Sequence, residues 1–279
     1  MIRAEHIKFD YIRRDGEDNV IAVETAVNDV SFEVKPGEFV AILGHNGSGK
    51  STLARHINAL LVPEEGTMYV DGIDTSEKDM VWEVRKRAGM VFQNPSAALN
   101  PVMTVAQQVG LPLYLHYDLS LAERSERVTA MLAKVGLGED VLAKYPHELS
   151  GGQRQRVGIA TALVTSPRLI IADEPTTALD SITQRQIVDL LTSLVDESGA
   201  SMLFITHDFA VLNRATTRCY VLENGRIEES GDTTALLDHP HTDAGHRLVQ
   251  SARALSLHAG QDVGQKPVRN PMHKEADHD

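Results

Sequence analysis

Four short apolar runs in the sequence predict strands that are buried on both faces of a parallel sheet. Each run has four or five consecutive apolar residues, and the runs are Phe39–Leu43 and residues 89–92, 169–172 and 202–205. Residues 1–38 follow a different pattern, because apolar and polar positions alternate there, as at Ile7, Phe9, Val30 and Phe32. Alternation of this kind predicts antiparallel strands with one solvated face.

Apolar residues at helical spacing predict helices between the buried strands. The segment after the first buried strand carries Leu53, Ile57, Leu60 and Leu61 and stops before Pro63. This spacing places the four side chains on one face, so we expect a single helix up to Leu61 that packs against the sheet.

A helical insertion interrupts the alternation of strands and helices. Residues 104–146 predict helices only, and the best of them covers residues 121–135, where Ser120 and Glu123 have the spacing of a capping box. The predicted fold is therefore of the α/β class, with a core sheet, an N-terminal antiparallel β subdomain and an inserted α-helical subdomain. Residues 256–279 lack apolar periodicity and predict a disordered tail.

A glycine-rich loop links the first buried strand to the helix that follows it. Its members are Gly44, His45, Asn46, Gly47, Ser48, Gly49, Lys50, Ser51 and Thr52. Glycines let the backbone amides approach an anion at the helix N-terminus, a lysine adds a charge for the outer phosphates, and the Ser51 hydroxyl can ligate Mg²⁺. The loop predicts binding of a nucleoside triphosphate; the alternative is a glycine turn with a surface lysine.

Polar residues follow the other buried strands at their carboxyl ends, where ligands gather in α/β sheets. Gln93 follows the second strand, Asp173 and Glu174 follow the third, and His207 follows the fourth. Two carboxylates in such a place suit Mg²⁺ for Asp173 and polarisation of an attacking water for Glu174. The alternatives are a surface turn for the carboxylates and a surface amide for Gln93.

A second candidate phosphate site begins at Ser150. Ser150 and Gln153 have the spacing of a capping box, and Gly151 and Gly152 stand between them. Two glycines in a first helical turn cost roughly 1 kcal/mol each relative to alanine. Exposed amides for a phosphate would justify that cost; a simple helix cap is the alternative.

The composition is that of a soluble globular protein, with 42% hydrophobic and 24% charged residues in 279. The N-terminus has no apolar signal core and no run approaches the roughly 20 apolar residues of a membrane span, so we expect a cytosolic protein. The net charge of −12 argues against nucleic acid as a partner. Cys219, the single cysteine, excludes an internal disulfide.

Together these segments resemble the ATP-binding cassette (ABC) family over residues 2–250. The matching positions are Tyr11 as the base-stacking aromatic, residues 44–52 as Walker A, Gln93 in the Q-loop, residues 149–153 as the signature, residues 169–174 as Walker B, Asp180 in the D-loop and His207 as the switch histidine. The resemblance implies a P-loop NTPase (RecA-like) core over residues 2–95 and 160–230, with the helical subdomain at about 96–159. From its position alone, Tyr11 could equally be a half-buried strand residue.

The resemblance also implies a head-to-tail dimer. ATP held on Lys50 of one subunit would meet Ser150 and Gly152 of another, which agrees with the affinity of a helix N-terminus for an anion. Closure of such a dimer around ATP is a motion that a membrane partner can use.

ATP and Mg²⁺ are the cofactors that the resemblance implies. Mg²⁺ would lie on Ser51 and Asp173, with Gln93 sensing the metal and the water. Glu174 would orient or deprotonate that water, and His207 would contact the γ-phosphate.

Two subtypes of importer ATPase are mixed in this sequence. Residues 1–95 look like the ATPase of energy-coupling-factor vitamin transporters, and the chain from Asn94 onward looks more like dipeptide, oligopeptide or nickel importer ATPases. We therefore expect a peripheral subunit at the cytoplasmic face of the cell membrane, paired with a second ABC ATPase subunit and integral membrane subunits. The alternative is a soluble ABC ATPase of the repair or translation type.

Overall fold

A six-stranded sheet forms the centre of the computed structural model, which describes residues 1–177, 179–207 and 216–258, with side chains up to residue 251. Its strands are β3 (Phe39–Leu43), β6 (Ala88–Val91), β7 (Leu169–Asp173), β8 (Ser201–Thr206), β9 (Arg218–Glu223) and β10 (Arg226–Asp232). Their order is β10-β9-β3-β8-β7-β6, and all neighbours are parallel except β10 with β9. Every residue of β3, β6, β7 and β8 is buried, which confirms the strands predicted from the apolar runs, except that Phe92 lies after β6 and is 41% exposed.

An antiparallel sheet of four strands covers one side of this core. Its strands are β1 (Ile2–Arg14), β2 (Val20–Val34), β4 (Glu65–Val70) and β5 (Ile73–Asp74), in the order β2-β1-β4-β5. The first two form the long hairpin that the alternating pattern predicted. Their inward side chains, among them Ile7 and Val30, share one apolar cluster with Val40 and Ile42 of β3.

The helices lie between and around the strands. They are α1 (Lys50–Ile57), α2 (Val81–Arg87), α3 (Pro95–Ala98), α4 (Val105–His116), α5 (Leu121–Lys134), α6 (Gly151–Leu163), α7 (Ser181–Ser198), α8 (Thr233–Asp238) and α9 (Asp243–His258). Single 3-10 turns cover Lys78–Met80, Glu139–Val141 and Pro146–Glu148. None of the helices in the described ranges has the length and apolarity that crossing a membrane requires.

The predicted helical insertion is present as α3 to α6. Apolar residues of α4, α5 and α6, such as Leu113, Leu132 and Val157, form one cluster with Phe204 of β8. The insertion therefore shares its core with the face of the main sheet opposite to the antiparallel strands. A capping box begins α5, where Ser120 and Glu123 satisfy each other's backbone amides as predicted.

The prediction of a helix up to Leu61 was wrong, because α1 ends at Ile57. Ala59 takes a left-handed backbone with φ 49°, and the amide of Leu60 then donates to the carbonyl of Arg55. This turn carries Leu60 off the apolar face, and its side chain is 43% exposed. Spacing alone could not reveal the turn, since a left-handed alanine is uncommon.

Two further boundaries differ from the prediction. The segment 94–101 is rich in proline, serine and asparagine, which predicts a loop, but it contains a short helix, α3, which Asn94 begins by accepting hydrogen bonds from the amides of Ser96 and Ala97. At the other end, α9 continues to His258, three residues into the range predicted as a disordered tail. Residues 259–279 lie outside the described residues, so the rest of that prediction stays a prediction.

Candidate functional site

The glycine loop lies at the carboxyl end of β3 and leads into α1, as predicted. Gly49 precedes α1 with φ 103°, a conformation that side chains disfavour, and a Cβ added there would collide with the carbonyl oxygen of Ala26. A Cβ at Gly44 would collide with the carbonyl oxygen of Leu222 and approach the Ser48 hydroxyl at 2.5 Å. The chain itself therefore requires glycine at both positions.

Lys50 points back over this loop. Its ammonium donates to the carbonyl oxygens of Gly44 and His45 at 2.9 and 2.8 Å and lies 3.6 Å from Glu174 Oε1. The side chain is 4% exposed, and this burial lowers the pKa of Lys50 against the opposing pull of Glu174. A buried ammonium beside backbone amides is suited to an anion that compensates its charge.

One oxygen of the loop is buried without a partner in the described part of the chain. The hydroxyl of Ser48 accepts and donates no hydrogen bond there, although the residue is only 5% exposed. Buried polar atoms are nearly always paired in folded proteins. An unpaired hydroxyl inside a glycine cradle fits a loop that binds a phosphate oxygen.

Ser51 and Asp173 form an oxygen pair at the start of α1. The Ser51 hydroxyl donates to Asp173 Oδ1 at 3.0 Å, which joins the glycine loop to the end of β7. Burial raises the pKa of Asp173, and the hydrogen bond from Ser51 opposes that rise. One carboxylate and one hydroxyl are the donor set that fits Mg²⁺, which binds few protein oxygens and takes further ligands from phosphates and water.

Glu174 is the centre of a cluster that gathers three strand ends. Its Oε2 accepts a hydrogen bond from Gln93 Nε2 at 3.0 Å and lies 3.3 Å from His207 Nδ1, while its Oε1 faces Lys50. The carboxylate is 5% exposed, and its backbone is left-handed at φ 44°. The structure therefore brings together the predicted residues that follow β6, β7 and β8.

Thr177 joins this cluster although the sequence did not single it out. Its hydroxyl donates to Glu174 Oε2 at 3.0 Å, so that oxygen has three neighbours with donor capacity. The contact arises from the turn after β7 and not from a recognisable motif of side chains.

Tyr11 lies beside α1 and is 37% exposed. Its hydroxyl lies 3.4 Å from Thr52 Oγ1 and accepts a hydrogen bond from Arg55 Nη1 at 3.2 Å, and the ring meets Phe9 edge-on at 5.1 Å. The ring is therefore next to the glycine loop, where a nucleotide base would lie, and base stacking stays a prediction. Sequence analysis did not identify Arg55. Its position one helical turn after Ser51 was the feature that could have identified it.

The second candidate phosphate site is the start of α6. Ser150 Oγ accepts from the amide of Gln153 at 3.2 Å, and Gln153 Oε1 accepts from the amide of Ser150 at 2.9 Å, so the predicted capping box forms. Within the described ranges, no hydrogen bond joins this helix start to the glycine loop. The two candidate phosphate sites of one chain are thus separate.

Asp180 lies next to that helix start. It caps α7 by accepting from the amides of Ile182 and Thr183 at 3.2 and 3.0 Å, and these bonds lower its pKa. A Cβ added to Gly152 would approach the Thr183 methyl group at 3.2 Å. The D-loop position predicted for Asp180 therefore borders the predicted signature of the same chain.

Comparison with known proteins identifies the relatives of this chain. Residues 27–177 match the ABC transporter domain family. A probable peptide ABC transporter ATP-binding protein, y4tS of Sinorhizobium fredii, is 43% identical over 229 residues, which are 80% of this chain and 65% of that protein. The energy-coupling factor transporter ATP-binding protein EcfA1 of Clostridium perfringens is 44% identical over 207 residues, which are 74% of this chain and 71% of EcfA1. The chain is thus similar to both kinds of transporter ATPase, and the division of the resemblance at about residue 95 stays a prediction, because each relative aligns with most of the chain.

Solved structures agree with these relatives. The dimeric post-hydrolysis state of the ATP-binding cassette MJ0796, bound to ADP and Pi, superposes with a TM-score of 0.74 at 37% identity, covering 84% of this chain and 99% of that chain. At this identity and TM-score, the two chains share one fold.

Proposed function

The chain belongs to the ABC transporter family, and we propose that it is the ATP-hydrolysing subunit of an importer that drives solute uptake through a separate membrane partner. The names of the relatives, which are peptide and energy-coupling-factor transport ATPases, support this proposal. Neither relative is of the repair or translation type. A peripheral place at the cytoplasmic face of the cell membrane follows from the same proposal.

The glycine loop is the proposed ATP site. Its amides and Lys50 would bind the β- and γ-phosphates, since Lys50 is buried beside the loop carbonyls and Glu174. Asn46, Gly47 and Thr52 belong to the same loop and helix start, and Tyr11 would stack on the base. Ser51 and Asp173, with Gln93, would hold Mg²⁺, which when bound neutralises phosphate charge.

Glu174 is the proposed general base. In hydrolysis a water oxygen forms a bond to the γ-phosphorus, the bond to the ADP oxygen breaks, and a water proton passes to the Glu174 carboxylate. Gln93 and His207 contact the same carboxylate, so they are placed to orient it. His207 would also meet the γ-phosphate on the exposed side of the cluster.

The start of α6 is proposed to act on ATP bound by a second subunit, identical or not. Ser150, Gly151, Gly152 and Gln153 form a helix start that is separate from the loop of their own chain. A helix N-terminus with exposed amides binds anions. Hydrolysis would then occur only in the closed dimer, and Asp180 would lie at the contact between the subunits.

The transported solute is proposed only as a class. The relatives' names support two classes, peptide uptake and uptake by an energy-coupling-factor transporter; the resemblance in the sequence adds nickel to the first class and vitamins or metals to the second. Both classes require integral membrane subunits, and isolation of the chain with its membrane partner would separate them.

The observation that carries the proposal is the buried Glu174 carboxylate, held among Lys50, Gln93 and His207. We expect Glu174→Gln to retain ATP binding and to lower the hydrolysis rate by roughly 10²–10⁴-fold, the usual effect of losing a positioned base. Phosphate release by the chain assembled with its partner subunits measures this rate, and binding of a non-hydrolysable ATP analogue checks affinity.

A matched control exists on the surface. Glu65 also accepts a hydrogen bond from a lysine, Lys8, at 2.9 Å, but it is exposed and far along the antiparallel sheet. Glu65→Gln should leave hydrolysis unchanged. Wild-type turnover in Glu174→Gln would remove Glu174 from the proposed role.

A further inference from the structure

Thr177 makes a contact that the proposed chemistry does not yet use. Its hydroxyl donates to Glu174 Oε2 at 3.0 Å. We propose that Thr177 is a positioning residue, whose hydroxyl holds the Glu174 carboxylate in the orientation that hydrolysis requires. This inference rests on the proposed function and adds a residue to its site.

Thr177 differs in its position along the chain from Gln93 and His207, the other two neighbours of Glu174 Oε2. Gln93 follows β6 and His207 follows β8, so their contacts depend on how separate elements sit against β7. Thr177 belongs to the turn that carries Glu174, and its amide also donates to the Glu174 carbonyl at 3.4 Å. The Thr177 contact is local, because it joins two residues of one turn and does not depend on how β6 or β8 packs against β7.

The backbone of Glu174 explains why such support is needed. A glutamate with φ 44° is in the left-handed region, which non-glycine residues adopt only at a cost and mostly at functional sites. The amide of Glu174 donates to the Ile205 carbonyl at 2.9 Å, which fixes the backbone but not the side chain. The carboxylate torsions are therefore set by side-chain donors.

Thr177 decides which carboxylate oxygen remains for the reaction. Oε2 is engaged by Thr177 and Gln93 and borders His207, whereas Oε1 lies 3.6 Å from the ammonium of Lys50. Since Lys50 belongs to the glycine loop, Oε1 is the oxygen on the phosphate side. Holding Oε2 thus directs Oε1 toward the place where a water would attack.

The test is a pair of substitutions that separate the hydroxyl from the side-chain shape. Thr177→Val keeps the shape and removes the donor, and Thr177→Ser keeps the donor. We expect Thr177→Val to lower kcat roughly 10-fold, the effect of one hydrogen bond to a charged group, with KM unchanged. Thr177→Ser should retain at least about half of wild-type kcat. Because Thr177 is exposed, both variants should fold.

A matched control removes the same kind of bond elsewhere. The Thr67 hydroxyl donates to Glu5 Oε2 at 3.3 Å on the surface of the antiparallel sheet, and Thr67→Val should leave kcat unchanged. A second readout uses Glu174→Gln as background. If Thr177 acts through the Glu174 carboxylate, adding Thr177→Val to Glu174→Gln should produce no further loss of kcat.

Three results would overturn the inference. Wild-type kcat in Thr177→Val would show that the hydroxyl has no positioning role, and equal losses in Thr177→Val and Thr177→Ser would assign the effect to something other than the donor. A further loss of kcat when Thr177→Val is added to Glu174→Gln would show that Thr177 does not act through the Glu174 carboxylate. If the assembled wild-type complex hydrolyses no ATP, the proposed function fails and this inference fails with it; that result differs from the three above, in which the wild type is active.

Discussion

The two helix starts predicted to bind phosphate are built in opposite ways. Before α1, Gly49 offers no side-chain cap, and neighbouring carbonyls of the same chain leave no room for a Cβ. Before α6, Ser150 caps the helix, and a Cβ added to Gly151 would make only an ordinary contact with Leu179 at 3.8 Å. The first start is enclosed by its own chain, and the second is open.

Two other helices of the insertion sharpen this difference. Thr104 before α4 and Ser120 before α5 form capping boxes like that of Ser150, yet Val105 and Leu121 follow them where α6 has glycine. A cap therefore does not require the glycines. Since the described residues give no steric reason for Gly151, we attribute it to a group that approaches from outside, which agrees with the proposed second subunit.

The largest expected effect is on dimer formation, and it distinguishes Ser150 from Ser120, which caps α5 in the same way. Ser150→Arg should abolish the ATP-dependent dimer, because a bulky side chain would fill the open helix start, while nucleotide binding to the single chain persists. Ser120→Arg, the matched control, should cost only about 1 kcal/mol for the lost cap and leave the dimer intact. Sedimentation with a non-hydrolysable ATP analogue measures both variants.

If Ser150→Arg formed as much ATP-dependent dimer as wild type, the proposed difference between the two helix starts would be wrong. The start of α6 would then be a helix cap like that of α5, and the proposal of composite ATP sites would be lost. A dimer lost in both variants would instead assign the effect to damage of the helical insertion.

Alanine substitutions of the glycines at the two helix starts should have smaller effects. The stability of the chain should change in opposite directions at the start of α1 and at the start of α6. Gly49→Ala should destabilise the chain by more than about 1 kcal/mol, since it adds a Cβ at positive φ against a carbonyl. Gly151→Ala should stabilise the chain by up to about 1 kcal/mol through helix propensity, and yet lower ATP hydrolysis. Thermal unfolding and phosphate release measure the two quantities.

Gly152→Ala is an internal check on this reasoning. Its added Cβ would approach the Thr183 methyl group at 3.2 Å, so it should gain less stability than Gly151→Ala. Destabilisation by Gly151→Ala would mean that the chain itself requires that glycine, and full hydrolysis in that variant would mean that nothing approaches it.

The meeting of the strand ends could be predicted from the sequence because it depends on topology. Apolar runs located β6, β7 and β8, and parallel neighbours end at one edge of a sheet, so Gln93, Asp173, Glu174 and His207 had to lie close together. The capping box of Ser150 was equally local. These features follow from spacing along the chain, which one sequence contains in full.

The contacts that were missed depend on backbone torsions or on distant partners. Thr177 reaches Glu174 only because the glutamate is left-handed, and Leu60 leaves the helical face only because Ala59 is left-handed. Arg55 meets Tyr11 through a register between α1 and β1 that no local pattern encodes. Trp82 of α2 is 54% exposed and meets His116 of α4 edge-on, which is likewise a contact between separate elements.

The smallest expected effect is on stability at acid pH, and it concerns only the enclosed region around α1. His56 of α1 is fully buried; its Nδ1 lies 3.1 Å from the Leu61 carbonyl, and its Nε2 has no partner among the described residues. Burial lowers its pKa below 6.5, so the folded chain resists a proton that the unfolded chain accepts. The neutral imidazole therefore contributes stability above pH 6.5 that is lost as pH falls below it.

His56→Phe should reduce this loss, because an aromatic ring against Phe9 is retained without a titrating group. Between about pH 7.5 and about pH 5.5, the stability of the variant relative to wild type should rise, by at most about 1.4 kcal/mol, the limit for one proton over one pH unit. His147→Phe, at an exposed histidine stacked on Tyr145, should change little. If acid lowered the stability of wild type and of His56→Phe equally, His56 would not be the group responsible. The enclosed region around α1 and the open start of α6 would then not differ in their response to acid.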